Sequence, residues 1–311
     1  MSFNPQIYLS GFGPAVAEQV LMLFLIMGLG FLARKLNILT NSVKQGLTDL
    51  ILKITLPLMI VASFNQDYSP QLLWDAGFIL LISLAIHFGS YGLSLLLYRK
   101  APADRRAVLR YFTVFSNAVF MGYAVLDALY GQTGVFYASI YMLPYRILMW
   151  TMGVALFTHG FEKSQWKQIY FNPAIFAVVV GLIAFVLNLD FPPVIAKTIS
   201  TAGSITTPLA MMIVGSILAD AKLRGVFDPG ILFAGLFRLA LIPLTVFFIL
   251  TWLKFSADVI ATSVILTAMP AGSFTAILAS KYKANEVYAS QAVFVTTLLS
   301  ILTIPLIVLL L

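Results

Sequence analysis

Arg146 is the residue whose position first demands a chemical explanation. It stands near the centre of an apolar run over 133–159, too far from either end for its side chain to snorkel to water, and a cation at such depth is costly unless something partners it. None of the twelve acidic residues lies at comparable depth; Asp75, Asp127, Asp220, Asp228 and the others fall in or near the breaks between apolar runs. Two partners stay open for Arg146: an anion brought from outside, or carbonyls of its own helix left without a donor by Pro144.

A second set of polar residues gathers at the centres of two other runs. Over 258–280 the chain reads Pro270-Ala271-Gly272-Ser273 at mid-run; Pro270 lacks an N–H and Gly272 tolerates irregular angles, so the helix should open and free backbone groups for a ligand. Over 105–130 the corresponding place holds Ser116, Asn117 and Gly122 but no proline, so these three must make the interruption. Asn117 can bind a carboxylate through its amide or cap a half-helix. Asn117, Arg146, Ser116, Pro270, Ala271, Gly272, Ser273 and Gln291 are therefore the candidate substrate residues, with Asn117, Gly122, Pro270 and Gly272 as candidate hinges. His87 reads as a packed, hydrogen-bonded residue. Arg238 and Lys53 lie at intermediate depth and read as structural, within reach of headgroups or helix C-termini.

The elements that must position these residues are membrane helices. With 60% hydrophobic and 10% charged residues and a mean hydropathy of +0.96, the chain cannot present a hydrated surface. Apolar runs near 14–34, 43–65, 71–98, 105–130, 133–159, 172–188, 194–219, 229–253, 258–280 and 285–311 are each long enough to cross a bilayer. Fourteen of the nineteen basic residues, including Arg34, Lys44, Arg105, Arg106, Lys163, Lys167, Lys222, Arg224 and Lys281, fall in alternate connectors, whereas Lys197 and Lys254 lie opposite. The expected topology is a multi-pass protein of the cell membrane with those connectors cytoplasmic and both termini outside. The net charge of +7 is thereby read as topology, not as a nucleic-acid surface. Without cysteine and with only His87 and His159, a thiolate or histidine metal cluster is excluded.

The halves also resemble each other. Gly13-Pro14-Ala15 pairs with Asn172-Pro173-Ala174, Thr55-Leu56-Pro57-Leu58 with Thr207-Pro208-Leu209, and Tyr137-Ala138-Ser139 with Tyr288-Ala289-Ser290, in the same order and at offsets of roughly 150–160 residues. Five spans per unit force the second copy to insert upside down. The expected fold is all-α: ten transmembrane helices as two inverted five-helix repeats, over 1–159 and 172–311, joined by a cytoplasmic linker at 160–171, with broken helices 4 and 9 crossing near the midplane.

These motifs resemble the auxin efflux carrier family, which includes plant auxin transporters and bacterial malonate carriers. The first crossover matches at Asn117, Met121 and Gly122 and departs at Ser116, Ala118 and Ala124; the second matches over Ala268-Met269-Pro270-Ala271-Gly272 and on to Ala279-Ser280-Lys281-Tyr282. Leu56-Pro57-Leu58, Arg238-Leu239 with Pro243, and the closing run from Thr296 to Pro305 add to the likeness, which extends over essentially the whole chain. The resemblance implies crossed helices, a transport domain moving as an elevator against a scaffold, each drawn from both repeats, carboxylate substrates, and a homodimer formed through scaffold helices.

The expected function is that of a secondary transporter for a small organic anion, surrounded by lipid, without nucleic-acid partners and without an organic cofactor. Coupling stays open between sodium, held by carbonyls, hydroxyls and Asn117, and a uniport driven by potential and gradient, since no midplane carboxylate offers a proton carrier. The alternatives are a carboxylate sensor on a transporter fold and a membrane-embedded transferase; Asp220 and Asp228 lack the spacing that a metal-bound diphosphate needs.

Overall fold

The structure, a computed structural model, describes residues 5–67, 69–158, 171–189, 191–220 and 226–311, with side chains from residue 18 onward. The linker expected over 160–171 lies, except for its last residue, outside the described residues, as do His159, Lys163, Lys167, Lys222 and Arg224. The elements are α1 (Pro5–Lys35), α2 (Asn41–Ser63), α3 (Pro70–Leu97), α4 (Ala103–Val114), α5 (Ala118–Thr158), α6 (Pro173–Val186), α7 (Pro193–Ala219), α8 (Pro229–Trp252), α9 (Ala257–Ala268), α10 (Phe274–Lys281) and α11 (Glu286–Val308). Among the described residues no β-strand forms. Helix starts follow local chemistry: Asn172, Asp228, Ser256 and Asn285 each accept a first-turn backbone N–H, and Pro70, Pro173, Pro193 and Pro229 occupy first-turn positions where no donor is needed.

Six of these helices, α2, α3, α5, α7, α8 and α11, are long and apolar enough to cross a membrane. Large apolar side chains such as Leu25, Phe176, Phe248 and Trp252 point outward, forming a surface suited to lipid and not to water. The chain is an all-helical membrane protein. The α5 stretch is a hairpin, not one rod: Gly131 has φ +54° and ψ −138°, a conformation that side chains disfavour. Past it, Tyr123 donates to Ser139 at 3.3 Å, and a Cβ on Gly134 would fall 2.4 Å from the Leu126 carbonyl.

Two groups of helices can be told apart within one continuous core. In one, α1 runs along α7 so closely that a Cβ on Gly30 would strike the Met212 backbone and one on Gly215 the Met27 backbone; small residues permit this approach in membranes. In the same group α6 packs on α2, with Gly181 against Phe64, and Thr206 donates to Thr55 at 2.9 Å. The other group, α3, α4, α5, α8, α9, α10 and α11, encloses the interruptions between α4 and α5 and between α9 and α10. Asp127, in the first arm of α5, links the groups by accepting a hydrogen bond from Thr207 on α7 at 2.7 Å.

The connectors carry their own ties. Arg34 and Lys44 both bind Asp220, at 2.6 and 2.7 Å, and Lys35 donates to the Ala219 carbonyl at 3.0 Å. Burial raises the Asp220 pKa, but the two hydrogen-bonded cations outweigh that and hold it below the usual carboxylate value. Arg105 pairs with Asp228 at 2.7 Å and lies over the Tyr288 ring, whose hydroxyl donates to Asp228 at 2.9 Å. Lys53 is exposed and pairs with Asp49 one turn earlier in α2, at 2.9 Å.

Candidate functional site

The two interruptions touch. Residues 115–117 leave the helix after Val114, with Phe115 extended at φ −109° and ψ 112°, and they meet residues 269–273 in an antiparallel bridge between Ser116 and Ala271. The Asn117 N–H donates to the Pro270 carbonyl at 2.7 Å. A helix opened inside lipid must have its freed groups satisfied by protein, and here the partners can be named. The Ser116 carbonyl accepts from the Tyr145 hydroxyl at 2.6 Å, and the Ser116 hydroxyl donates to the Leu266 carbonyl at 3.0 Å. The Ala271 N–H donates to the Thr296 hydroxyl at 3.0 Å. Span 4 is thus interrupted without a proline: its backbone exchanges helical partners for bonds to the second interruption.

Close packing enforces the contact. A Cβ on Gly272 would lie 2.9 Å from the Ser116 carbonyl oxygen, so only glycine lets the two backbones approach. Gly122 is likewise crowded, with a Cβ 2.6 Å from Leu266 and 3.3 Å from Ala118. Phe115 sits in an aromatic layer with Tyr111, Tyr145 and His87, ring centroids 5.0–5.8 Å apart. His87 is the packed residue its sequence context suggested: buried, with Nδ1 at 2.6 Å from the Ser83 carbonyl.

Four helix ends meet at this junction. The C-terminal ends of α4 and α9 carry partial negative charge and the N-terminal ends of α5 and α10 partial positive charge, about half a unit each. Arg238 attends the C-terminal ends. It is 2% exposed, inside the π-type turn Phe237–Leu241 of α8, and donates to Met269 and Thr113 carbonyls at 3.1 Å, to Val114 at 3.4 Å and to Leu266 at 3.5 Å. The sequence allowed Arg238 a helix C-terminus as partner; the structure supplies two at once. That a single arginine spans both interruptions is the feature the sequence did not show, because its partners lie more than 27 residues away along the chain.

The N-terminal ends have different company. Asn117, at the start of α5, accepts the Met121 and Gly122 N–H groups with its carbonyl, at 2.9 and 3.1 Å, while its buried side-chain Nδ2 has no partner. Ser273, at the start of α10, and Thr275 within it are also buried with free hydroxyl oxygens. Gln291 is buried in α11, the helix that also supplies Thr296. Arg146 is buried in the second arm of α5; its Nη1 has no partner, and among the described residues neither an acid nor a carbonyl freed by Pro144 holds its guanidinium. One turn on, Trp150 lies 6.4 Å from the ring of Phe274, the first residue of α10. The candidate residues over 116–117 and 270–273 are therefore brought together directly. Tyr145, Thr296 and Arg238 complete that junction, and the family-like closing run from Thr296 and the family-like Arg238-Leu239 hinted at the last two.

A cavity of about 830 Å³ lies elsewhere: an apolar groove between α3 and α8 with no charged residue in its walls. A cleft of about 70 Å³ between α2, α5 and α7 contains Asp127, Ser63 and Ser204 and lies between the two helix groups.

Comparison with known proteins adds the following. The profile of the family described as membrane transport protein matches residues 15–166 and 157–308. An uncharacterized transporter from Methanocaldococcus jannaschii is 24% identical over 300 residues, covering 93% of this chain and 96% of the relative. Another from Methanothermobacter thermautotrophicus is 26% identical over 297 residues, again 93% and 96%. These are membrane transporters and not enzymes, which removes the transferase alternative.

Proposed function

We propose, from the premise that this chain belongs to the membrane transport protein family, that it carries a small organic anion, a mono- or dicarboxylate of auxin or malonate type, across the cell membrane. The observation that carries this reading is the pair of N-terminal helix ends meeting at Asn117 and Ser273, where a buried amide and a buried hydroxyl lack partners. Free N–H groups in the first turns of α5 and α10 favour negative charge, and Asn117 Nδ2 adds a donor suited to a carboxylate oxygen. Arg146, whose guanidinium has no acid or carbonyl partner among the described residues, is the cation assigned to the anion.

The movement we assign is an elevator. The group α1, α2, α6 and α7 would be the scaffold, through which two copies would associate, and the helices around the interruptions would be the mobile body. Reading the chain as ten spans in two inverted repeats is supported by reciprocal packing, α1 on α7 and α6 on α2, and by contacts between corresponding segments, such as Thr55 with Thr206 and Ser116 with Ala271. Both termini are assigned to the outside from the basic connectors. Labelled mono- and dicarboxylates offered to proteoliposomes test the reading: saturable exchange supports a carrier. Carboxylate-dependent thermal stabilisation without flux would turn it into a sensor, and neither would refute an organic-anion site.

A further inference from the structure

We propose that Arg238 is a tethered counter-cation, filling the seat between two half-helix C-termini where carriers with interrupted helices can hold a coupling sodium ion. Helix C-termini and unwound carbonyls that converge within a membrane form a cation site, because their partial negative charges have no water to screen them. Here α4 and α9 end facing each other, and four carbonyls, those of Thr113, Val114, Leu266 and Met269, turn toward one point. A guanidinium occupies that point. It is buried, and among the described residues no carboxylate pairs with it. Among the described residues, helix ends balance its charge.

The seat is built, not incidental. Arg238 emerges from a π-type turn followed by Pro243, a local irregularity that departs from ideal helical spacing and that recurs at functional sites. Its planar fork reaches carbonyls from both interruptions, which a lysine ammonium on a flexible stem would do with fewer simultaneous bonds. The consequence for coupling follows from charge. The two C-terminal and two N-terminal ends sum to about zero; Arg146 is the cation assigned to the anion itself, so without Arg238 the two C-terminal ends would need a bound cation of their own. With Arg238 in place the protein supplies that cation permanently, and an anion binds without sodium at this seat. The statement about coupling rests on the carrier reading; the seat itself does not.

The experiment separates the two. Melting temperatures of the purified full-length protein are measured for wild type, Arg238→Lys, Arg238→Gln and Arg238→Ala in choline, sodium and guanidinium chlorides at matched millimolar concentrations. The wild type should melt at the same temperature in all three, and Arg238→Ala should melt lower in choline and recover in guanidinium, with Arg238→Lys between them. An Arg238→Ala protein that matches the wild type in choline, or that stays low in every salt while Arg238→Lys is no better, overturns the seat. If the neutral variants do not fold, Arg238→Lys and the wild type still decide: a wild-type protein stabilised by sodium over choline refutes a filled seat. Carboxylate uptake by wild-type proteoliposomes should be unchanged when sodium is replaced by choline; loss of uptake on that exchange overturns the coupling statement. Absence of uptake in every salt would count against the carrier reading and leave the melting result to judge Arg238.

Discussion

Replacing Asn117 by aspartate changes size by almost nothing and charge by a full unit, which makes it the sharpest probe of the junction. Asn117 is 2% exposed, its Nδ2 has no partner, and it stands at the start of α5 beside the second interruption. An aspartate there faces helix starts that stabilise a negative charge by about 0.3–2 kcal/mol per end, and its ionised form takes the position assigned to the substrate. A carboxylate bound about 4 Å away, at an effective dielectric constant of about 20, would meet a repulsion of about 4 kcal/mol. That corresponds to roughly a thousandfold loss of affinity. Asn117→Ala removes only a hydrogen bond to a charged group, about 1.5–3 kcal/mol, and should cost roughly one to two factors of ten. Both variants are to be titrated with a carboxylate panel by thermal shift, the ligand-free melting temperature serving as the check on folding. Asn117→Asp protein that binds carboxylates like the wild type, or loses no more than Asn117→Ala, would refute an anion site at the helix starts.

Arg146→Ala should abolish carboxylate stabilisation while leaving a folded protein, because among the described residues no acid or carbonyl pairs with its guanidinium; unchanged affinity in the same titration would remove Arg146 from the site. Gly272→Ala should destabilise by about 1–3 kcal/mol, since its Cβ meets backbone that cannot retreat, whereas Gly28→Ala, with nothing within 4 Å, should be neutral or slightly stabilising in a thermal melt. Tyr145→Phe leaves the Ser116 carbonyl without its hydroxyl donor and should cost about 1–3 kcal/mol, read by the same melt. The Asp220 pKa is depressed in the folded protein, so its ties to Arg34 and Lys44 contribute stability above the unfolded value of about 4 and lose it as pH falls through the lower folded value. The melting-temperature difference between wild type and Asp220→Asn should therefore be present at neutral pH and shrink below about pH 4; a difference independent of pH would show that the pairs contribute nothing.

The membrane class, the helical content and the positions of the interruptions were legible in the chain, because each depends on local properties. Apolar runs of bilayer length require no knowledge of neighbours, and the Pro270-Ala271-Gly272 run opens a helix by its own covalent chemistry. The interruption at Ser116-Asn117 was only half legible. No residue there forbids a helix; what ends it is the bridge to Ala271, the bond to Pro270 and the hydroxyl of Tyr145, all contributed by distant segments. The same reason hid the role of Arg238. Depth in a span singled out Arg146 and left Arg238 as structural, but depth does not say what a side chain meets. Only the folded chain decided that Arg238 spans two helix C-termini and that Arg146 has no acid or carbonyl partner among the described residues, because hydrogen-bond partners are fixed by packing in three dimensions and leave no trace in the spacing of residues along one strand of sequence.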